Sequence, residues 1–266
     1  MTQTSPRPLA VVTGASSGIG LELAKQFAQN GFDLLIAAED EAISSAETEL
    51  ESLGARVQST QVDLAQYDGV EKLSTLIEAT GRPIDAIALN AGVGAGGAFV
   101  DDTSLDDELQ VIDLNVKSVV HLAKRVLPNM VNRGEGRVLF TSSIASTMPG
   151  PYHAVYNASK SFVQSFAEAI RYELKDTGVT VTALMPGVTD TEFFERADML
   201  DTKAGSGSKD DPAQVAEQGF KALMAGEEKV VAGSMKNKVQ AKVGSVTPDS
   251  AKAGMAAKLH EPGGGS

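Results

Sequence analysis

Tyr156 and Lys160 stand four residues apart, in the run Tyr-Asn-Ala-Ser-Lys. The surrounding stretch, Val155–Lys175, repeats Phe162, Phe166 and Ile170 at helical spacing. On a helix, residues four apart share one face, one turn from each other. A free phenol has a pKa of about 10 and holds its proton at neutral pH. A neighbouring ammonium favours the phenolate. A tyrosine so placed can pass a proton to or from an alcohol oxygen. The second chemical signal is Thr13-Gly14-Ala15-Ser16-Ser17-Gly18-Ile19-Gly20, a glycine-rich turn. It follows the apolar run 9–12 and opens a segment with helical spacing at Ile19, Leu23, Phe27 and Ala28. Free N–H groups at a helix start, approached closely through glycine, form a site for a pyrophosphate.

Composition removes competing chemistries. The chain of 266 residues has no cysteine and three histidines, His121, His153 and His260. Thiol nucleophiles, disulfides and cysteine-ligated metals are excluded, and no metal site is expected. The formal charge of −12 argues against nucleic acid and anionic membrane as partners. From Ser234 onward five Lys face one Asp and one Glu, so that end is mildly basic. No apolar run reads as a membrane span and the start does not read as a signal peptide, which with the missing cysteines suits the cytoplasm.

Strands and helices alternate along the chain. Runs at 9–12, 34–37, 56–62, 84–89, 137–142, 179–184 and 229–232 read as strands. Between them, Glu41–Leu53, Val70–Thr80, a long helix over 106–133, Val155–Lys175 and a helix from Pro212 to about Met224 read as helical. On the long helix Leu109, Ile112, Val116, Val119, Ala123, Leu127 and Met130 line one face. Such alternation predicts an α/β fold: a doubly wound, seven-stranded parallel sheet with helices on both faces. Residues 1–8 form an extension, 9–232 one domain with a mobile loop at about 190–210, and 233–266 a tail with a flexible Gly-rich end.

The motifs together resemble the short-chain dehydrogenase/reductase family in its single-domain form, over residues 9 to about 232. The resemblance implies a Rossmann-type fold binding NAD(P)(H). It assigns Gly14, Ser16, Ser17, Gly18, Ile19 and Gly20 to the phosphates. Asp63 and Leu64 would hold the adenine, and Asn90, Ala91 and Gly92 would support the adenosine side. Pro186, Gly187, Val188 and Thr191 would face the nicotinamide. Tyr156 becomes the acid/base, and Lys160 the residue that lowers its pKa and binds ribose hydroxyls. Ser143, thirteen residues before the tyrosine, steadies the substrate oxygen, and Asn115 holds a water beside the lysine.

The second strand ends in Ala37-Ala38-Glu39-Asp40. A carboxylate here suits a ribose hydroxyl and repels a 2′-phosphate, so Glu39 favours NAD(H). Ala38 takes the position where NAD-preferring relatives often carry Asp. Val93, Met148, His153, Phe193, Phe194 and Met199 are candidate substrate contacts, and their apolar character suits an uncharged ketone, aldehyde or alcohol. His153 also reads as an exposed loop histidine, and the two phenylalanines as plain packing. The expected function is an alcohol dehydrogenase or carbonyl reductase acting as a homodimer or homotetramer. Alternatives are a 3-oxoacyl-carrier-protein reductase and a non-catalytic dinucleotide-binding regulator.

Overall fold

A computed structural model describes residues 7–235, 237–239 and 249–265. Residues 1–6 of the expected extension, and Lys236 and Lys242 of the basic tail, lie outside the described residues. The strands are β1 (Leu9–Thr13), β2 (Asp33–Ala38), β3 (Val57–Gln61), β4 (Ala86–Leu89), β5 (Gly136–Thr141), β6 (Val179–Pro186) and β7 (Lys229–Ala232). All pair in parallel, in the order β3-β2-β1-β4-β5-β6-β7. Helices α1 (Gly18–Gln29), α2 (Ile43–Ser52), α3 (Tyr67–Ala79), α4 (Leu105–Ile112), α5 (Ser118–Arg133), α6 (Ala154–Glu173) and α9 (Pro212–Ala225) surround the sheet. Two short helices, α7 (Phe193–Arg196) and α8 (Lys203–Ser206), lie in the expected 190–210 loop. A last helix, α10, spans Asp249–His260. The expected doubly wound, Rossmann-type sheet is the fold observed.

Side chains alternate across each strand, and here both faces are buried. Val11, Leu35, Ile87, Val138, Phe140 and Val181 face α3, α5 and α6. Ala10, Val12, Leu34, Ile36, Leu139 and Leu184 face α1 and α9. That is why these strands read as continuous apolar runs. On the second face Phe27 is fully buried and meets Phe32 and Phe220 edge-on at 5.1 and 5.2 Å between centroids.

The expected long helix is interrupted. Asp113–Lys117 forms a π-helical turn between α4 and α5. The inserted residue rotates the buried face, so Leu109 and Ile112, placed by spacing on one face with Val119 and Met130, are 46% and 42% exposed. Beyond the turn Val119, Ala123 and Met130 are buried as expected. π-turns of this kind recur at functional sites.

The order of strands reverses direction between β1 and β4, and the loops after these strands part there. This leaves a crevice at the carboxyl ends of the strands, where open α/β sheets take ligands. Truncating Phe27→Ala should lower the unfolding free energy by about 3–5 kcal/mol. Urea titration checks it, and a loss below about 1 kcal/mol would contradict the packing described.

Candidate active site

The crevice encloses about 580 Å³ and runs from Gly14 to His260, within the range of a small-molecule or cofactor site. At one end the chain leaves β1 through Gly14, whose φ is +64° and where a Cβ would come 2.8 Å from the Ala91 Cα. At Gly20 a Cβ would lie 1.9 Å from the Gly14 carbonyl oxygen. Only glycine permits this approach of helix to turn. Ser17 precedes α1 in extended conformation and its side chain makes no capping bond. The Leu21 N–H reaches back to the Ser17 carbonyl, so the N–H groups of the first turn precede the helical ladder. That uncapped end, beside a cradle with no room for a Cβ, fits a dinucleotide pyrophosphate.

Asn90 ties this end together. Its N–H donates to Thr13 Oγ1 at 2.9 Å, and its Nδ2 donates to the Thr13 carbonyl at 3.2 Å. Its Oδ1 accepts from Thr141 Oγ1 at 3.0 Å. One side chain thus holds the ends of β1, β4 and β5 in register. Ala91 and Gly92 continue along the wall. Asp63 and Leu64 line the opposite side, with Asp63 Oδ1 accepting the Ala65 N–H at 2.8 Å. Pro186, Gly187, Val188 and Thr191 line the other end, with Thr191 packed over Gly18.

Glu39 lines the crevice after β2, but it is not free. Arg196, on α7, reaches Glu39 at 3.4 Å, Asp40 at 3.6 Å and Glu192 at 3.0 Å. Ser16 Oγ donates to Asp40 at 2.8 Å. Helix α7 is therefore tied to the end of β2 through one guanidinium that meets Glu39 and Asp40 there and Glu192 beside the helix.

At the centre Tyr156 and Lys160 project from the first turns of α6, one turn apart. Tyr156 shares the crevice wall with Ser143, which begins a 3-10 turn after β5 and accepts the Ala145 N–H at 3.1 Å. Lys160 Nζ donates to the Thr141 carbonyl at 3.0 Å and lies 5.7 Å from the Tyr156 ring centroid. Ser142 points away and donates to the Lys160 carbonyl, as strand alternation requires. Asn115 sits in the π-turn, 1% exposed. It accepts the Val93 N–H at 2.9 Å, and donates to the Val93 carbonyl at 2.9 Å and to Ser159 at 3.0 Å. Its hydrogen bonds thus fix the loop after β4 beside Lys160.

Burial pushes the Tyr156 phenol up to about 12, and Ser143 beside it opposes this only in part. Burial also pushes the Lys160 ammonium down to about 8. Each charge is disfavoured because the pocket replaces water. The phenol is therefore held protonated at neutral pH.

Val93, Met148, His153, Phe193 and Phe194 line the crevice as expected. Phe194 is also core, packed with Ala197 and Ala204. Met199 does not line it. It is 1% exposed, in the small apolar core of the loop, against Gly96, so its assignment as a substrate contact is corrected. His153 is not an exposed loop histidine. It is 3% exposed and stacks on Tyr156 at 4.2 Å between centroids. Sequence reasoning missed Arg196, Leu259 and His260, which also line the crevice. The first lies 157 residues from Glu39, and no local spacing reports such a meeting.

No helix among the described residues is long and apolar enough to cross a membrane, and no metal-binding cluster occurs among them. The sequence model of the family described as short chain dehydrogenase matches residues 8–200. A short chain dehydrogenase of Pseudocercospora fijiensis is 33% identical over 195 residues, which cover 73% of this chain and 63% of that one. A Sphingobium yanoikuyae short-chain dehydrogenase solved with NADPH superposes with a TM-score of 0.78 at 26% identity, covering 84% and 87% of the two chains. A Burkholderia phymatum short chain dehydrogenase/reductase solved with NAD gives 0.76 at 26% identity, covering 85% and 88%. With this fold, this crevice and these matches, the chain belongs to the short-chain dehydrogenase/reductase family of nicotinamide-dependent oxidoreductases.

Proposed function

We propose that the protein interconverts a secondary alcohol and a ketone, or an aldehyde and its alcohol, with NAD(H) as the hydride carrier. The observation that carries this reading is the meeting of Tyr156, Ser143 and Lys160 on one crevice wall, the tyrosine and lysine one helical turn apart. The bound nicotinamide would supply or accept the hydride. The protein's part is proton transfer and orientation. A carbonyl oxygen placed between the two hydroxyls accepts from both, and Ser143 stabilises charge growing on it. The Tyr156 phenol, protonated at neutral pH, donates its proton in reduction; in oxidation it is the phenolate that takes the alcohol's proton. Lys160 faces the ribose side, and Asn115 holds the neighbouring loop in place. Phosphates are received by the turn from Gly14 to Gly20, the adenine by Asp63 and Leu64, and the carboxamide by the Pro186–Thr191 segment.

Three carboxylates against one guanidinium leave the Glu39 subsite net negative, which supports NAD(H) over NADP(H). The complete set of Asn115, Ser143, Tyr156 and Lys160 supports an enzyme over a non-catalytic regulator. The charge of −12 does not suit docking of an acidic carrier protein. Leu105, Leu109 and Ile112 on α4, with Phe162 and Tyr172 on α6, are exposed apolar side chains. They support a homodimer or homotetramer built on these neighbouring helices. A cytoplasmic location belongs to the same proposal.

Three measurements test this reading. Tyr156→Phe should lower turnover by about 10²–10⁴-fold while calorimetry shows nearly unchanged cofactor binding; near-normal turnover would overturn the role. NADH should bind at least about tenfold tighter than NADPH, and the reverse order would refute the part given to Glu39. Lys160→Met should abolish turnover yet stabilise the cofactor-free chain. The wild-type ammonium is harder to hold in the fold, at about 8, than in the unfolded chain, at 10.5. Its penalty of up to about 3 kcal/mol is complete below pH 8 and vanishes as pH rises to 10.5. Thermal unfolding of both proteins across that range reads the gap. A variant less stable than wild type at pH 7 would contradict it.

A further inference from the structure

Helix α10 ends on the crevice, where Leu259 and His260 join its lining. The end expected to be flexible is docked as far as it is described. Gly263 N–H donates to the Asp201 carboxylate at 2.7 Å, and Gly265 N–H donates to the Asp201 carbonyl at 2.8 Å. Ala256 is fully buried. Helix α10 and the residues to Gly265 therefore form a wall of the substrate end, held by the 190–210 loop. On that wall the His260 ring stands edge-on to His153, at 5.4 Å and 75°. His153 in turn stacks on Tyr156 and lies 6.0 Å from Phe193.

Two imidazoles thus meet on this wall. His153 Nε2 and His260 Nδ1 are buried and have no hydrogen-bond partner among the described residues. Buried polar atoms without a partner are uncommon and mark places where something else binds. Gly94 packs against His153 Nε2: a Cβ there would stand 2.7 Å from it and 2.7 Å from the Phe193 ring. The backbone delivers His153 through Tyr152, at φ +61°, a left-handed conformation that a tyrosine adopts only at a cost.

We propose that His153 and His260 form a second polar subsite, which binds an uncharged hydroxyl or carbonyl oxygen on a carbon next to, or one removed from, the reacting carbon. The preferred substrate is then a hydroxyketone, diketone or diol rather than a simple ketone or a keto acid. This rests on the oxidoreductase reading above. The stacking of His153 on Tyr156 sets the short reach from the reacting oxygen. The uncharged class follows from the surroundings. Burial pushes His153 down to about 3 and lowers His260 as well, so both rings are neutral at physiological pH. Neutral rings offer a donor and an acceptor, and do not compensate a buried carboxylate.

Cyclohexanone, 2-hydroxycyclohexanone and 3-oxocyclohexanecarboxylate make a matched series. In the wild-type protein kcat/KM for the hydroxyketone should exceed that for cyclohexanone by about tenfold, the worth of one buried hydrogen bond, and the keto acid should be worst. The ratio should fall towards one in His260→Leu and be partly restored in His260→Gln. With three histidines in the chain, the ring resonances of His153 and His260 can be followed separately by NMR. Both should shift on titration with 2-hydroxycyclohexanone, with His121 unmoved. Turnover with an unchanged ratio and unmoved rings overturns the subsite and leaves the oxidoreductase reading standing. Shifted rings without turnover of any carbonyl leave the subsite and overturn that reading. Neither shift nor turnover overturns both.

Discussion

The site depends on one constraint: a parallel sheet built outward in both directions from β1 parts at the β1–β4 boundary. Loops after the two strands turn opposite ways, and the gap between them cannot be filled by the sheet itself. Asn90 stops that gap from being a weakness. It bonds to Thr13 and Thr141, so β1, β4 and β5 end in a fixed relation. Everything else follows from where the strands stop. Gly14 leaves β1 and Glu39 leaves β2, while Ser143 leaves β5 and the Pro186–Thr191 segment leaves β6. Each arrives at the same crevice because every strand points the same way.

Burial then sets the chemistry. The pocket that excludes water raises the phenol of Tyr156 and lowers the ammonium of Lys160. Both effects destabilise charge in the empty site and sharpen interactions once ligands fill it. A tyrosine held protonated is a ready donor to a carbonyl oxygen. A buried lysine without a carboxylate partner is costly to the fold, the kind of cost functional sites retain. The π-turn belongs to the same economy. It breaks a regular helix and aims Asn115 at the Val93 backbone.

Much of this was legible in the sequence. The seven strands were visible because both sheet faces are buried, which leaves continuous apolar runs such as Leu9–Val12 and Leu34–Ala37. The phosphate turn and the Tyr156–Lys160 pair were visible because each is local: a helix start and one helical turn. Three kinds of feature were hidden. The π-turn leaves no mark in a 3.6-residue period, so Leu109 and Ile112 were placed on the wrong face. Met199 and His153 exchanged expected places, since loop burial depends on what folds over it. Arg196 at Glu39, and His260 at His153, are meetings of distant segments. Electrostatics was half legible. The lysine is where helical spacing puts it, but only the surrounding packing shows how strongly burial acts on both groups.

The most direct test of the account is a crystal structure of the ternary complex, with the dinucleotide and an unreactive carbonyl analogue bound. The account predicts the pyrophosphate at the start of α1. It predicts the analogue's oxygen within hydrogen-bond distance of both Tyr156 Oη and Ser143 Oγ. A carbonyl oxygen bound away from that pair, with the dinucleotide in place, would contradict it.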